Sequence, residues 1–184
     1  MIKEKIANSI ELLTLLGSIF VAIFLILFIA MILTGKKSKL YDEIIKYISK
    51  NFLALGFIVS TIATLGSLFY SEIMGYNPCL LCWYQRIFMY PQPFLFFIAM
   101  VKKDRRMIIT NTLLLSVLGA IIAAYHYLGQ IGIMSLETCD IVGYSAKCSE
   151  FFSLSYGFIT IPMMALIAFA MIIIFGVSRS FLRD

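Results

Sequence analysis

A chain of 184 residues that is 61% hydrophobic and only 14% charged, with a mean hydropathy of +0.97, carries too little charge for a soluble domain and too much apolar surface for a disordered one. What remains is an all-α polytopic membrane protein with room for at most about six spans and no large extramembrane domain. The net charge of +5 reads as basic loops beside membrane spans, so lipid rather than nucleic acid is the expected surroundings.

Charge interruptions locate the spans in chain order. Residues 12–35 form an uncharged run of 24 residues, long enough for a tilted span and too long for a signal-peptide core. In segment 36–50, Leu40, Tyr41, Ile44, Ile45 and Ile48 recur at helical spacing while Asp42, Glu43, Lys46 and Lys50 occupy the rest of the turn. That pattern predicts a short amphipathic helix lying on the inner membrane surface. Residues 51–71 make the second span. The next uncharged run, 87–101, has only 15 residues, so the third helix must begin near Cys82 and include Arg86, which puts a cation near a membrane face. Residues 107–128 and 156–177 supply the fourth and fifth spans.

Segments 36–50, 102–106 and 179–184 hold eleven of the fifteen Lys and Arg residues and are assigned to the cytoplasm with the C-terminus. Loops 72–82 and 129–154 then face outward, as does the N-terminus. The expected organisation is an N-terminal span plus amphipathic segment over 1–51, a four-helix bundle with two outward loops over 52–178, and a short tail over 179–184.

All four cysteines, Cys79, Cys82, Cys139 and Cys148, fall in the two outward loops and none in a span, although cysteine is at home in apolar helices. Two structural disulfides would account for this in an oxidising compartment. Three features of the first pair argue for more. Cys79-Leu80-Leu81-Cys82 has the C-x-x-C spacing of dithiol oxidoreductases, and so small a ring constrains the unfolded chain little. Pro78 precedes it and a helix follows, so one sulfur can sit at a helix N-terminus, where the macrodipole lowers a thiol pKa. Arg86 lies one turn beyond Cys82, and a guanidinium at that depth needs an anionic or polar partner, such as a Cys82 thiolate. Zinc is the competing chemistry for four cysteines, but the x8 spacing of Cys139 and Cys148 does not suit it, and no metal is expected. That spacing fits a loop disulfide that opens to an external partner, or a structural one. His126, the single histidine, should lie level with Arg86. With Gln85 and Gln130 it predicts a polar cluster against aromatic walls, a pocket for an amphipathic ring with two carbonyls.

The stretch Asn77-Pro-Cys-Leu-Leu-Cys-Trp-Tyr-Gln-Arg-Ile-Phe-Met-Tyr-Pro91, preceded by Ser71-Glu72, resembles the bacterial disulfide bond formation family DsbB, and especially its BdbC branch. Tyr125-His126-Tyr127, the second cysteine pair and Gly157-Phe158-Ile159-Thr160-Ile161-Pro162 are similar too. The resemblance covers residues 52–178, and residues 1–51 lie outside it. It implies a four-helix bundle in the bacterial inner membrane that binds ubiquinone or menaquinone near the outer surface. Such proteins reoxidise a thioredoxin-fold dithiol oxidase of the DsbA kind and pass two electrons to the membrane quinone pool. By position, Cys139 would be attacked by the partner, Cys148 released to attack Cys79, and Cys82 freed to meet the quinone. Arg86 would stabilise the thiolate and the quinone oxygen, with Gln85, His126 and Gln130 nearby. The physical logic agrees, since DsbA-type partners are strong oxidants at roughly −120 mV and only a more oxidising acceptor regenerates them. A vitamin K epoxide reductase-like protein is a second oxidoreductase reading, but there the loop cysteines precede the C-x-x-C. A non-enzymatic membrane subunit or transporter is a third, against which stand the absence of paired carboxylates inside spans and of broken-helix repeats.

Overall fold

The computed structural model describes residues 1–35, 39–102, 106–135 and 147–181. It is all-helical. In order come α1 (Ile2–Thr34), α2 (Lys39–Leu68), a π-helical turn (Phe69–Ile73), α3 (Leu80–Met89), α4 (Pro91–Lys102), α5 (Arg106–Gln130) and α6 (Ile161–Phe181). Among the described residues, four helical stretches are long and apolar enough to cross a membrane: α1, α2 with its π turn, α5 and α6. End to end, α3 and α4 run over residues 80–102, about the length that one crossing needs. The break between them follows from Pro91, which lacks an N–H and takes the first position of α4, where none is needed. Tyr90 keeps helical dihedrals and its N–H still reaches the Arg86 carbonyl at 2.9 Å, so the axis is bent rather than interrupted.

Two boundaries differ from the sequence reading. The amphipathic segment is helical, but it continues without a break into α2 instead of lying apart on the membrane surface. Its apolar side is taken up by protein: Tyr41, Ile45 and Ile48 are buried, and Ile44 packs on a core cluster of Val21, Ile48, Phe52, Ile109, Ile174 and Phe175. The fifth span starts at Ile161 rather than 156, because Tyr156 (φ 54°) and Gly157 (φ 79°) take left-handed conformations in a turn closed by Ser155 and Ile159. Pro162 then sits in the first turn of α6, where its missing N–H costs nothing.

Helix pairs approach closely where glycine meets phenylalanine. A Cβ on Gly56 of α2 would lie 2.4 Å from the Phe96 ring of α4, and one on Gly119 of α5 would lie 2.2 Å from the Phe169 ring of α6. Both rings are buried in the middle of the bundle. Small residues that admit a neighbour's side chain are how helices associate where no water drives them together.

The helix ends sort the chain into two poles. The C-termini of α2 and α5 and the N-termini of α3 and α6 share the pole that carries Cys79, Cys82 and Cys148. The N-terminus of α1 is held there as well: Lys3 Nζ donates to the Ile73 carbonyl at 2.8 Å, and Ser153 Oγ donates to Glu11 Oε1 at 3.0 Å. At 33 residues α1 is ~50 Å long, well beyond a ~30 Å hydrocarbon core, so its first turns stand among these loops.

Candidate redox site

Cys79 caps α3. Its extended backbone (φ −75°, ψ 172°) turns the chain into the helix, and its sulfur takes the place of a capping oxygen, accepting the Cys82 N–H at 3.3 Å. Cys79 and Cys82 are free thiols with sulfurs 2.8 Å apart. The Cys79 side chain is 2% exposed and packs against Cys148, which is disulfide-bonded. Cys139 lies outside the described residues.

At the N-cap of α3, ahead of its first helical residue, the Cys79 thiol is lowered from the ordinary 9.0 to about 5. The hydrogen bond from the Cys82 thiol is the main cause. His126 and the Cys82 backbone N–H add to it, against the opposing effect of burial. Sequence reasoning placed the favoured thiolate at Cys82; the structure puts it at Cys79, because the capping sulfur collects the donors.

His126 is 1% exposed. Gln85 Nε2 donates to His126 Nδ1 at 3.0 Å, which leaves the proton on Nε2. That Nε2–H donates to the Cys148 carbonyl at 3.0 Å and lies 3.7 Å from the Cys79 sulfur. Gln130 sits beside them, its Nε2 donating to the Glu150 carbonyl at 3.0 Å. The sulfurs of Cys79 and Cys82 and a His126 ring nitrogen lie within 4.8 Å of one another, a spacing that metal ligands use. Nε2, however, points a proton rather than a lone pair.

Arg86 lies on the other side of Cys82. Its Nε donates to Ser67 Oγ at 3.1 Å and its Nη2 to the Ser67 carbonyl at 3.3 Å. The guanidinium carbon stands 5.1 Å from the Trp83 ring and 6.0 Å from that of Tyr90, a cation–π cradle. So the polar partner expected for this half-buried cation is Ser67, reinforced by the Tyr90 hydroxyl 3.2 Å from Ser67 Oγ. Nothing in the sequence distinguished Ser67 from the other serines of apolar helices.

The expected polar residues line two adjoining spaces, linked by the Gln85–His126 hydrogen bond. Cys82, Gln85 and Arg86 open on an apolar cavity of about 230 Å³, also lined by Tyr70, Tyr76 and Met89. His126 and Gln130 instead line a narrow cleft of about 20 Å³ with Cys79, Cys82 and Cys148. Cys82 is the one described cysteine common to both. Tyr70, Tyr76 and Phe152 form a stacked ladder, with centroids 6.0 and 5.1 Å apart, and Phe152 borders both spaces.

A helical membrane bundle with a capped C-x-x-C beside a disulfide-bonded cysteine is the architecture of a membrane dithiol oxidoreductase. The sequence profile described as "Disulfide bond formation protein DsbB" matches residues 49–178, and the chain belongs to that family. It is 44% identical over 128 residues to the SPbeta prophage-derived disulfide bond formation protein B of Bacillus subtilis (strain 168), covering 70% of this chain and 83% of that protein. To the disulfide bond formation protein C of the same organism it is 44% identical over 126 residues, 67% and 88% of the two chains. A probable disulfide formation protein of Oceanobacillus iheyensis is 40% identical over 136 residues, 74% and 92%. No solved structure is significantly similar to the chain. The protein is a disulfide-generating oxidoreductase of multi-pass membrane type.

Proposed function

We propose that the protein reoxidises a thioredoxin-fold dithiol oxidase of the DsbA kind on the outer face of a bacterial cytoplasmic membrane and delivers the electrons to a membrane quinone, ubiquinone or menaquinone. The observation that carries this reading is spatial order: Cys148 packs on Cys79, Cys79 on Cys82, and of the described cysteines Cys82 is the one that continues into the apolar cavity beside Arg86.

In the exchange steps, a partner thiolate attacks Cys139 of a Cys139–Cys148 disulfide and releases the Cys148 thiolate. Cys148 attacks Cys79 of a Cys79–Cys82 disulfide, breaking that bond and releasing Cys82. The partner's second thiol displaces Cys139, which leaves the partner oxidised, and Cys139 then attacks Cys148, which releases Cys79. Two electrons now reside on Cys79 and Cys82, matching the free thiols and bonded Cys148 described above. The Cys79 site is built for leaving as a thiolate, since the Cys82 N–H and His126 receive the charge. His126 and Gln85 act as positioning residues for that sulfur.

The cavity fits a quinone by its chemistry. Its lining is apolar, Arg86 directs two of its five N–H donors to Ser67, and the Tyr70 hydroxyl is buried without a partner among the described residues. Arg86 and Tyr70 would hold the two carbonyl oxygens. A quinone there supplies a two-electron, two-proton acceptor. The test is quinone reduction by protein in liposomes supplied with a reduced thioredoxin-fold oxidase. Turnover is expected in the native chain, with a quinone KM raised about tenfold or more in Arg86→Met, the loss of a charge-assisted hydrogen bond. No quinone reduction by the native protein would overturn the reading.

A further inference from the structure

The shared family region begins at residue 49, yet one wall of the cavity comes from before it. Ile10, Leu13 and Thr14 of α1 line the same space as Cys82 and Arg86. We propose that α1 completes the quinone site of this chain: it closes the lateral cleft between α2 and α6, so that the substituted ring and the first part of its isoprenoid tail are held between α1 and the four-helix core. This rests on the quinone reading of the cavity and adds a helix to it.

Contacts above and below the cavity show how α1 seals it. On the redox side, Ala7 is buried against Phe69 and Tyr70. Ile10 lies over Gly66, whose added Cβ would meet the Ile10 side chain at 3.7 Å. On the far side, Gly17 lets α1 come down onto α6: an added Cβ would stand 3.0 Å from Ile167 and 3.2 Å from Met171. Ile167 and Met171 themselves line the cavity. The closest approach of the two helices thus lies at the floor of the space, and the Ile10 seam lies at its roof. Between them Leu13 and Thr14 present side chains to the ring, with the Thr14 hydroxyl satisfied by the Ile10 carbonyl at 2.9 Å. The wall is therefore apolar toward the ligand. Shape rather than hydrogen bonding is what α1 contributes, which suits discrimination by ring substituents and tail.

Trp83, the chain's single tryptophan, stacks on Arg86 and gives a binding readout independent of turnover. Full-length protein in nanodiscs is titrated with a one-isoprene and a long-chain quinone, following quenching of Trp83 fluorescence. Thr14→Phe, which fills the cavity from the α1 side, is expected to weaken quenching by both quinones about tenfold, the penalty of overpacking a filled site. Ile10→Ala, which opens the roof seam, should weaken the long-chain quinone more than the short one. Native affinities in both variants, with Arg86→Met weakened, would overturn the α1 wall and leave the quinone site standing. Absence of saturable quenching in the native protein would overturn both.

Discussion

The hydrogen bond from its partner thiol, more than the cap N–H or a nearby guanidinium, decides which sulfur carries charge. Cys79 occupies the position a serine or aspartate fills in most helices, and its thiol falls to about 5. Thiolate absorbance of the reduced protein is therefore expected to persist down to pH values near 5 and then disappear. Because the folded thiol ionises below the unfolded one, its contribution to stability is complete above the ordinary thiol range. That contribution is lost as pH falls through about 5. In His126→Leu, which removes the donor on the far side of the sulfur, the midpoint should move upward; an unmoved midpoint would remove His126 from that role. At the cavity, Tyr70→Phe keeps the stacked ladder but removes the unpartnered hydroxyl. A quinone KM raised about two- to tenfold with an unchanged rate of thiol exchange is expected, the worth of one neutral hydrogen bond.

Element by element, the sequence was most readable where one local rule acts alone. Uncharged runs marked the spans, and the C-x-x-C with its following helix marked Cys79 and Cys82, because membrane solvation and helix capping are local. The Pro91 bend was equally visible in Tyr90-Pro91-Gln92-Pro93, but span length alone made 82–101 look like one rod. Segment 39–50 went astray because an amphipathic stripe reads the same whether it faces lipid or α1 and α6; only tertiary packing separates the two. Likewise His126 and Arg86 were expected to share a pocket from their depth, yet depth does not fix azimuth around the bundle, and the two point to opposite sides of Cys82. The glycine contacts give this scale its own expectation. Gly119→Ala must displace the buried Phe169 ring and should cost about 1–3 kcal/mol, measured as a lowered midpoint of thermal or detergent unfolding. Gly75→Ala, where an added Cβ meets no atom, should be milder, carrying only its left-handed backbone (φ 76°).

For the whole molecule, polarity of the bundle is the organising fact, since the N-terminus of α1 and the described cysteines share one pole. Single reporter cysteines placed at Lys3 and at Lys102 in a background lacking the native four should label from opposite sides of the membrane, with Lys3 on the outer one. Labelling of both from one side would break the five-crossing arrangement. The 2% exposure of Cys79 has a further consequence. Small thiols and alkylating reagents meet a Cys79 sulfur covered by Cys148 and His126, while the half-buried Cys82 is the more open of the two. The covered sulfur is insulated from whatever reductant happens to drift past, and its first correspondents are its neighbours within the protein, Cys148 and Cys82.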